Sequence, residues 1–377
     1  MNYSDGGNFP PPENNNYYPP VSRPKMPHFV PPEIWLKEKN FIKKLSTFSA
    51  VAILLYIFLS GVFVGAIQLL FMLLEKSMGA DYSLFADKWN SAEFQYGFEI
   101  LYSVFIVGGP FFIVGHFAKK KGFLKEIPTG KPKNAQHLPI IIVAGFGLCL
   151  LGNILTSFID TYVSVIFGFE LQLPEMPETP YNPVGIIFFF ISTAVVPALI
   201  EELALRGIIM QTLRRYGDMF AIICSALIFG LMHCNLMQIP FAFVSGIVIG
   251  YATLVTESIW TGVIIHFLNN AFTVTVTIID DFYGMESIAY SICNIIFYGM
   301  IVIGIILGII YLKKLGPKNL YRSPLVNIGS GFYGFVPMFS ARVSDGTLYK
   351  TFLLTPTMIV AFIAVLYQTI VSAIALL

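Results

Sequence analysis

Blocks of about twenty apolar residues recur along this chain, and they leave little choice of fold. Inside a bilayer every backbone N–H and C=O must be paired within the protein, so runs of this length are read as membrane-spanning helices. The blocks are Leu45–Leu74, Gly97–Phe117, Pro139–Phe167, Val184–Met210, Phe220–Leu236, Ile239–Val255, Ile259–Ile279, Ile288–Leu312 and Thr357–Leu377. They predict an all-α, polytopic transmembrane helical bundle of eight to nine spans. Charged residues make up 12% of the chain, against about 25% in a soluble domain. The fifth and sixth blocks are separated only by Asn235–Gln238, which predicts a tight helical hairpin with Pro240 at the turn.

The links between blocks alternate in charge. Lys37, Lys39, Lys43 and Lys44 precede the first block, and Glu75, Asp81, Asp87 and Glu93 follow it. Lys119–Lys121, Lys125, Lys131 and Lys133 come next, then Glu170, Glu175 and Glu178. Arg214 and Arg215, an acidic link with Asp280, Asp281 and Glu286, and a basic one with Lys313, Lys314, Lys318 and Arg322 continue the pattern. Basic links favour the cytoplasmic side, so the N-terminus is expected inside and the C-terminus outside a cell membrane. The reading divides the chain into a Pro-rich disordered cytoplasmic tail (1–44), a membrane core (45–312), a basic cytoplasmic loop (313–356) that contacts anionic lipid, and an added C-terminal helix (357–377). No cleavable signal peptide is expected. Net charge is +1, which gives no reason to expect a nucleic-acid partner. Cys149, Cys224, Cys234 and Cys293 lie in or beside apolar blocks without CxxC spacing, so they are expected as small apolar fillers. Gly61/Gly65, Gly246/Gly250 and Gly304/Gly308 carry the spacing of close helix packing. The Phe- and Ile-rich composition fits a bacterial protein.

Four interruptions stand out in otherwise apolar helices: Glu201-Glu202 with Arg206, Phe229 with His233, His266 with Asn269-Asn270, and Pro197 one turn before Glu201. Ionisable groups at membrane depth are costly and are functional candidates by default. Glu202 and Arg206 are i,i+4 and are expected to pair. Glu201 points roughly 100° away and is left without a partner on its own helix. His266 and Asn270 share a face, whereas Asn269 points elsewhere and is expected to bond a neighbouring helix. At 1.5 Å per residue, Glu201 and His233 lie about 20 Å, and Asn270 about 17 Å, from the basic side. The bland alternatives are a fold-stabilising ion pair for Glu202–Arg206 and interhelical hydrogen bonding for His233, His266 and Asn270. Pro197 frees a backbone carbonyl and bends the helix before Glu201.

A buried carboxylate suits general-base work on water, a nearby histidine shares or shuttles its proton, and a second histidine with an asparagine supplies donors to an oxyanion. This set suits hydrolysis of an amide by direct attack of water. No GxSxG elbow or accompanying cysteine supports a covalent mechanism. Two histidines and a glutamate form a possible zinc set, although HExxH is absent. The expectation is no cofactor, with zinc as the alternative.

Taken in order, Glu201-Glu202-x-x-x-Arg206, Phe229-x-x-x-His233 and His266-x-x-x-Asn270 resemble the three motifs of the CAAX-protease and bacteriocin-processing (CPBP or Abi) membrane family, which includes the type II CAAX prenyl endopeptidase. The resemblance covers 184–279 firmly and 45–312 loosely. It implies an intramembrane endopeptidase in which Glu201 and His233 activate water without covalent chemistry, and His266 with Asn270 form the oxyanion hole. Glu202, Arg206, Phe229 and Pro197 then support the site, and the partners are the lipid bilayer and a membrane-associated peptide or protein substrate. The competing readings are a non-catalytic scaffold or bacteriocin-immunity protein of the same fold, a metal-dependent protease, and a transporter using Glu201 and the histidines as a proton relay.

Overall fold

The computed structural model describes residues 32–79, 82–168, 177–317, 320 and 345–375, which are helices and their connections. Helix α1 (Pro32–Met78) is followed by α2 (Tyr82–Trp89), α3 (Ala92–Lys120), α4 (Leu138–Phe167) and α5 (Pro183–Tyr216). After these come α6 (Asp218–Met232), α7 (Gln238–Thr256), α8 (Ile259–Tyr283), α9 (Ile288–Leu315), α10 (Asp345–Leu353) and α11 (Pro356–Ala375). The architecture is that of a multi-pass membrane protein, consistent with location in the cell membrane.

The span count differs from the expected eight to nine. Among the described residues seven helices are long and apolar enough to cross a bilayer, or up to eight if α10 and α11, bent by 68°, make one span. The predicted fifth span, Phe220–Leu236, is instead the 15-residue α6. At 1.5 Å per residue it reaches about 22 Å, short of the ~30 Å hydrocarbon core. Its end is set by polar backbone chemistry: Cys234 takes a left-handed φ of 48°, and Asn235 Oδ1 accepts the N–H groups of Met237 (2.9 Å) and Gln238 (3.2 Å). The expected hairpin does form, with α6 and α7 packed along each other.

The N-terminal boundary also moves. Residues 32–44, expected in the tail, open α1, because this stretch has something to pack on. Ile42 and Leu45 are fully buried, Phe41 meets Phe123 edge-on at 5.1 Å, and Glu38 accepts from Tyr216 Oη at 2.9 Å. Residues 1–31 and most of the predicted basic loop lie outside the described residues.

Close backbone contact holds the bundle where glycines allow it. Helix α4 runs against α9, and a Cβ on Gly147 would sit 2.1 Å from Met300 O. Of the predicted glycine pairs, Gly246 and Gly304 sit in such contacts, while Gly61 and Gly65 face open space. Around these contacts, one cluster of buried side chains from α1 and α3–α11 forms the main core.

The bundle has two chemically different ends. At one, Lys133 pairs with Glu257 (2.8 Å), Trp260 Nε1 donates to Thr129 O (2.8 Å), and Arg215 pairs with Glu38 (3.3 Å). At the other, Thr179 donates to Asp281, Asn182 to Glu93, and Tyr181 stacks on Phe282. The α6–α7 hairpin returns the chain to the basic end, since Lys133 N donates to Thr256 O at 2.7 Å. The shortness of α6 therefore leaves the charge alternation intact.

Candidate active site within the helical bundle

Helix α5 carries the two glutamates between two π-helical stretches, Ile191–Val195 and Leu203–Ile209. Such stretches rotate side chains out of ordinary helical phase and often accompany functional residues. Glu202 and Arg206 are both fully buried, and Arg206 Nη1 donates to Glu202 Oε1 at 2.8 Å. The guanidinium also donates to Gly246 O (3.2 Å) and lies 4.6 Å from the centre of the Phe229 ring. The expected i,i+4 pair is thus present, and α7 and α6 hold its outer side.

The same carboxylate oxygen has a second partner that local spacing does not reveal. His266 Nδ1 lies 2.9 Å from Glu202 Oε1. A carboxylate only accepts, so this nitrogen carries the proton. The other ring nitrogen, Nε2, lies 3.8 Å from Glu201 Oε2. His266 therefore lies between the two glutamates, and its bond to Glu202 fixes its ring.

Phe229 packs among the charged groups: its ring centre lies 5.1 Å from that of His233 and 5.8 Å from that of His266, both edge-on. His233 ends α6, with Nδ1 2.9 Å from Phe229 O. A carbonyl also accepts only, so neutral His233 keeps its proton on Nδ1 and presents Nε2 as an acceptor.

Asn270 is held by a consequence of Pro197. A proline has no N–H, so the carbonyl four residues earlier, Thr193 O, loses its usual helical donor. Asn270 Nδ2 donates to that carbonyl at 3.1 Å, and its Oδ1 accepts from Asn269 Nδ2 at 3.2 Å.

Burial separates these residues. Glu201, His233 and Asn270 are only partly buried, whereas Glu202, Arg206, His266 and Asn269 are buried. The packing around Glu202 is close: a Cβ on Gly262 would lie 3.0 Å from Glu202 Oε2 and 2.6 Å from Thr253 Oγ1. Among the described residues no group of three or more His, Cys, Asp or Glu side chains is arranged to hold a metal ion. Sequence reading did not single out Thr193, Ser245, Thr253 or Gly262. Thr193 alone was findable, as the residue four before Pro197.

Sequence comparison relates the chain to membrane proteases. The family described as type II CAAX prenyl endopeptidase Rce1-like matches residues 183–272, the stretch from the start of α5 to the middle of α8. The chain is similar to YdiL of Bacillus subtilis, a membrane peptidase by name, at 24% identity over 157 residues, 40% of this chain and 63% of that protein. It is also similar to the membrane-embedded CAAX protease MroQ of Staphylococcus aureus, at 25% identity over 180 residues, 45% of this chain and 70% of that protein. These similarities link the chain by homology to the CPBP/CAAX protease superfamily, without identifying a particular member. No solved structure matched the chain.

Proposed function

We propose that this protein is an intramembrane endopeptidase that hydrolyses a peptide bond of a membrane-associated protein or peptide with water activated by Glu201 and His233. Glu201 is the general base and Nε2 of His233 the second acceptor on the water. As water attacks the carbonyl carbon, its proton passes to Glu201 and the carbonyl oxygen becomes an oxyanion. His266 and Asn270 donate to that oxygen. Collapse of the tetrahedral intermediate breaks the C–N bond, and the proton held by Glu201 goes to the leaving amine.

The observation that carries this reading is the placement of His266 between Glu202 Oε1 (2.9 Å) and Glu201 Oε2 (3.8 Å), within the stretch that matches the protease family. Donation to the oxyanion is through Nε2 of His266, since Nδ1 is held by Glu202 Oε1. Glu202 then does more than pair with Arg206, because it orients the oxyanion donor. The basic end of the bundle is the cytoplasmic face in this reading. The experiment is an assay of purified protein in detergent against a panel of membrane peptides, prenylated and not, with and without a chelator. Cleavage that survives the chelator and disappears in Glu201→Gln supports the glutamate-activated water. Full inhibition by the chelator with recovery on adding zinc replaces it with a metal mechanism.

A further inference from the structure

The segment that leaves α3 at the basic end is tied down along its length. Phe123 N donates back to Ala118 O at 2.8 Å, Pro128 O accepts from Ile259 N at 2.8 Å, and Gly130 O accepts from the Ser258 hydroxyl at 2.7 Å. Ile127 packs on α5, where a Cβ on Gly207 would sit 3.0 Å from its side chain. Between this strap and the last turn of α3 lies an open cavity of about 390 Å³, lined by Lys119, Leu124, Lys125, Glu126, Ile127 and Thr129. Ligand sites typically measure roughly 300–1,000 Å³. Among the described residues neither lysine pairs with Glu126 or with any other carboxylate. Two ammonium groups and one carboxylate therefore border one space with their charges free. Such a lining suits a ligand that carries both signs: lysine binds phosphate as a point charge, and a carboxylate accepts from a primary ammonium.

We propose that this cavity binds the headgroup of a phosphatidylethanolamine-type lipid, with the phosphate on Lys119 and Lys125, the ammonium on Glu126, and the glycerol end against Leu124 and Ile127. The level of the cavity fits a lipid. Trp260 is 43% exposed and donates its indole N–H to Thr129 O, on the cavity wall, at 2.8 Å. Tryptophans with an exposed ring and a bonded N–H mark the depth of the headgroups. The cavity also adjoins the end of the long apolar α3, where the chain leaves the hydrocarbon. Glu126 sets the headgroup class: an anionic headgroup without an amine leaves this carboxylate facing like charge, and a choline carries no N–H to donate. Ile127 touches both the cavity and α5 beside Arg206, so a bound headgroup backs the helix that carries Glu201 and Glu202. The site does not depend on the peptidase reading.

The test is lipid retention by the full chain, purified in detergent and loaded with synthetic lipids of matched acyl chains. Native mass spectrometry reads the bound lipid, and thermal melting reads the stabilisation. Phosphatidylethanolamine is expected to be retained at one per chain, in preference to phosphatidylglycerol and phosphatidylcholine, and to raise the melting temperature. Lys119→Gln with Lys125→Gln is expected to weaken its retention by at least roughly tenfold. Glu126→Gln is expected to remove its advantage over phosphatidylglycerol. Equal retention of the three lipids by the wild type, or unchanged retention in the double-lysine variant, overturns the proposal. All three side chains are exposed, so the variants are expected to fold, which gel filtration checks; the preference of the wild type is read without any variant. Soluble phosphoethanolamine and inorganic phosphate are added in parallel. Neither is expected to stabilise the protein as the lipid does, since both lack the glycerol end. A melting shift from either that equals the lipid's makes the occupant a free phosphate and overturns the lipid assignment.

Discussion

The consequences of substitution differ between neighbouring residues because their environments do. Arg206 is fully buried and donates to Glu202 and to Gly246 O. Arg206→Ala leaves Glu202 charged and short of a partner, which typically costs about 3–5 kcal/mol. A lower yield of folded protein and a lower melting temperature are expected, measured by gel filtration and thermal melting; a normal yield and melt would remove the structural role. Glu202→Gln is expected to weaken both the Arg206 pair and the hold on His266, giving a lower melting temperature with a milder loss of turnover than Glu201→Gln. On the proposed mechanism Asn270→Ala removes one oxyanion donor and should lower kcat on the order of 100-fold, read at matched folded amounts. The three motifs and the Glu202–Arg206 pair were legible in the sequence, since each depends on spacing within one helix. The His266–Glu202 bond was not, because 64 positions separate the partners and only the packing of α8 against α5 brings them together. For the same reason the sequence suggested only pairing for Glu202, and the structure adds contact with His266.

At the scale of helices, the sequence located the apolar blocks well and their function as spans less well. Hydropathy reports that a segment avoids water and leaves open whether it crosses the membrane or is buried among other helices. Helix α6 is the case in point: Phe220, Ala221, Ile222, Cys224, Ala226, Ile228 and Phe229 are buried in the protein core, and the helix ends at His233, before the left-handed Cys234. The start of α1 shows the converse, a polar segment made helical by contacts with Phe123 and Tyr216. The π-helical stretches flanking Glu201 and Glu202 carry no sequence signature beyond Pro197. Close approach of α4 and α9 makes a sharp prediction. Gly147→Val places a side chain where Met300 O and Gly304 Cα stand. Its cost should exceed the ~1–3 kcal/mol of ordinary overpacking, because backbone cannot rotate away. A large drop in melting temperature is expected, and an unchanged melt would contradict the packing.

For the whole molecule, the excess of basic residues at one end suggests a direction across the membrane. The basic end, with Lys119–Lys121, Lys133 and Arg215, is expected in the cytoplasm. A cysteine placed at Lys120 should resist an impermeant thiol reagent applied to intact cells, and labelling from outside would invert the arrangement. The CAAX prenyl endopeptidase family model matches residues 183–272, the part of the bundle that carries Glu201, Glu202, Arg206, His233, His266 and Asn270. The central claim is that Glu201 activates water for peptide-bond hydrolysis. The most direct measurement compares turnover of a membrane peptide by wild-type and Glu201→Gln proteins, purified in parallel and matched for folded amount by gel filtration. The variant keeps the shape of the side chain and loses the base. Turnover is predicted to fall by at least ~100-fold to 10,000-fold while peptide binding persists; equal turnover by the two proteins would contradict the account.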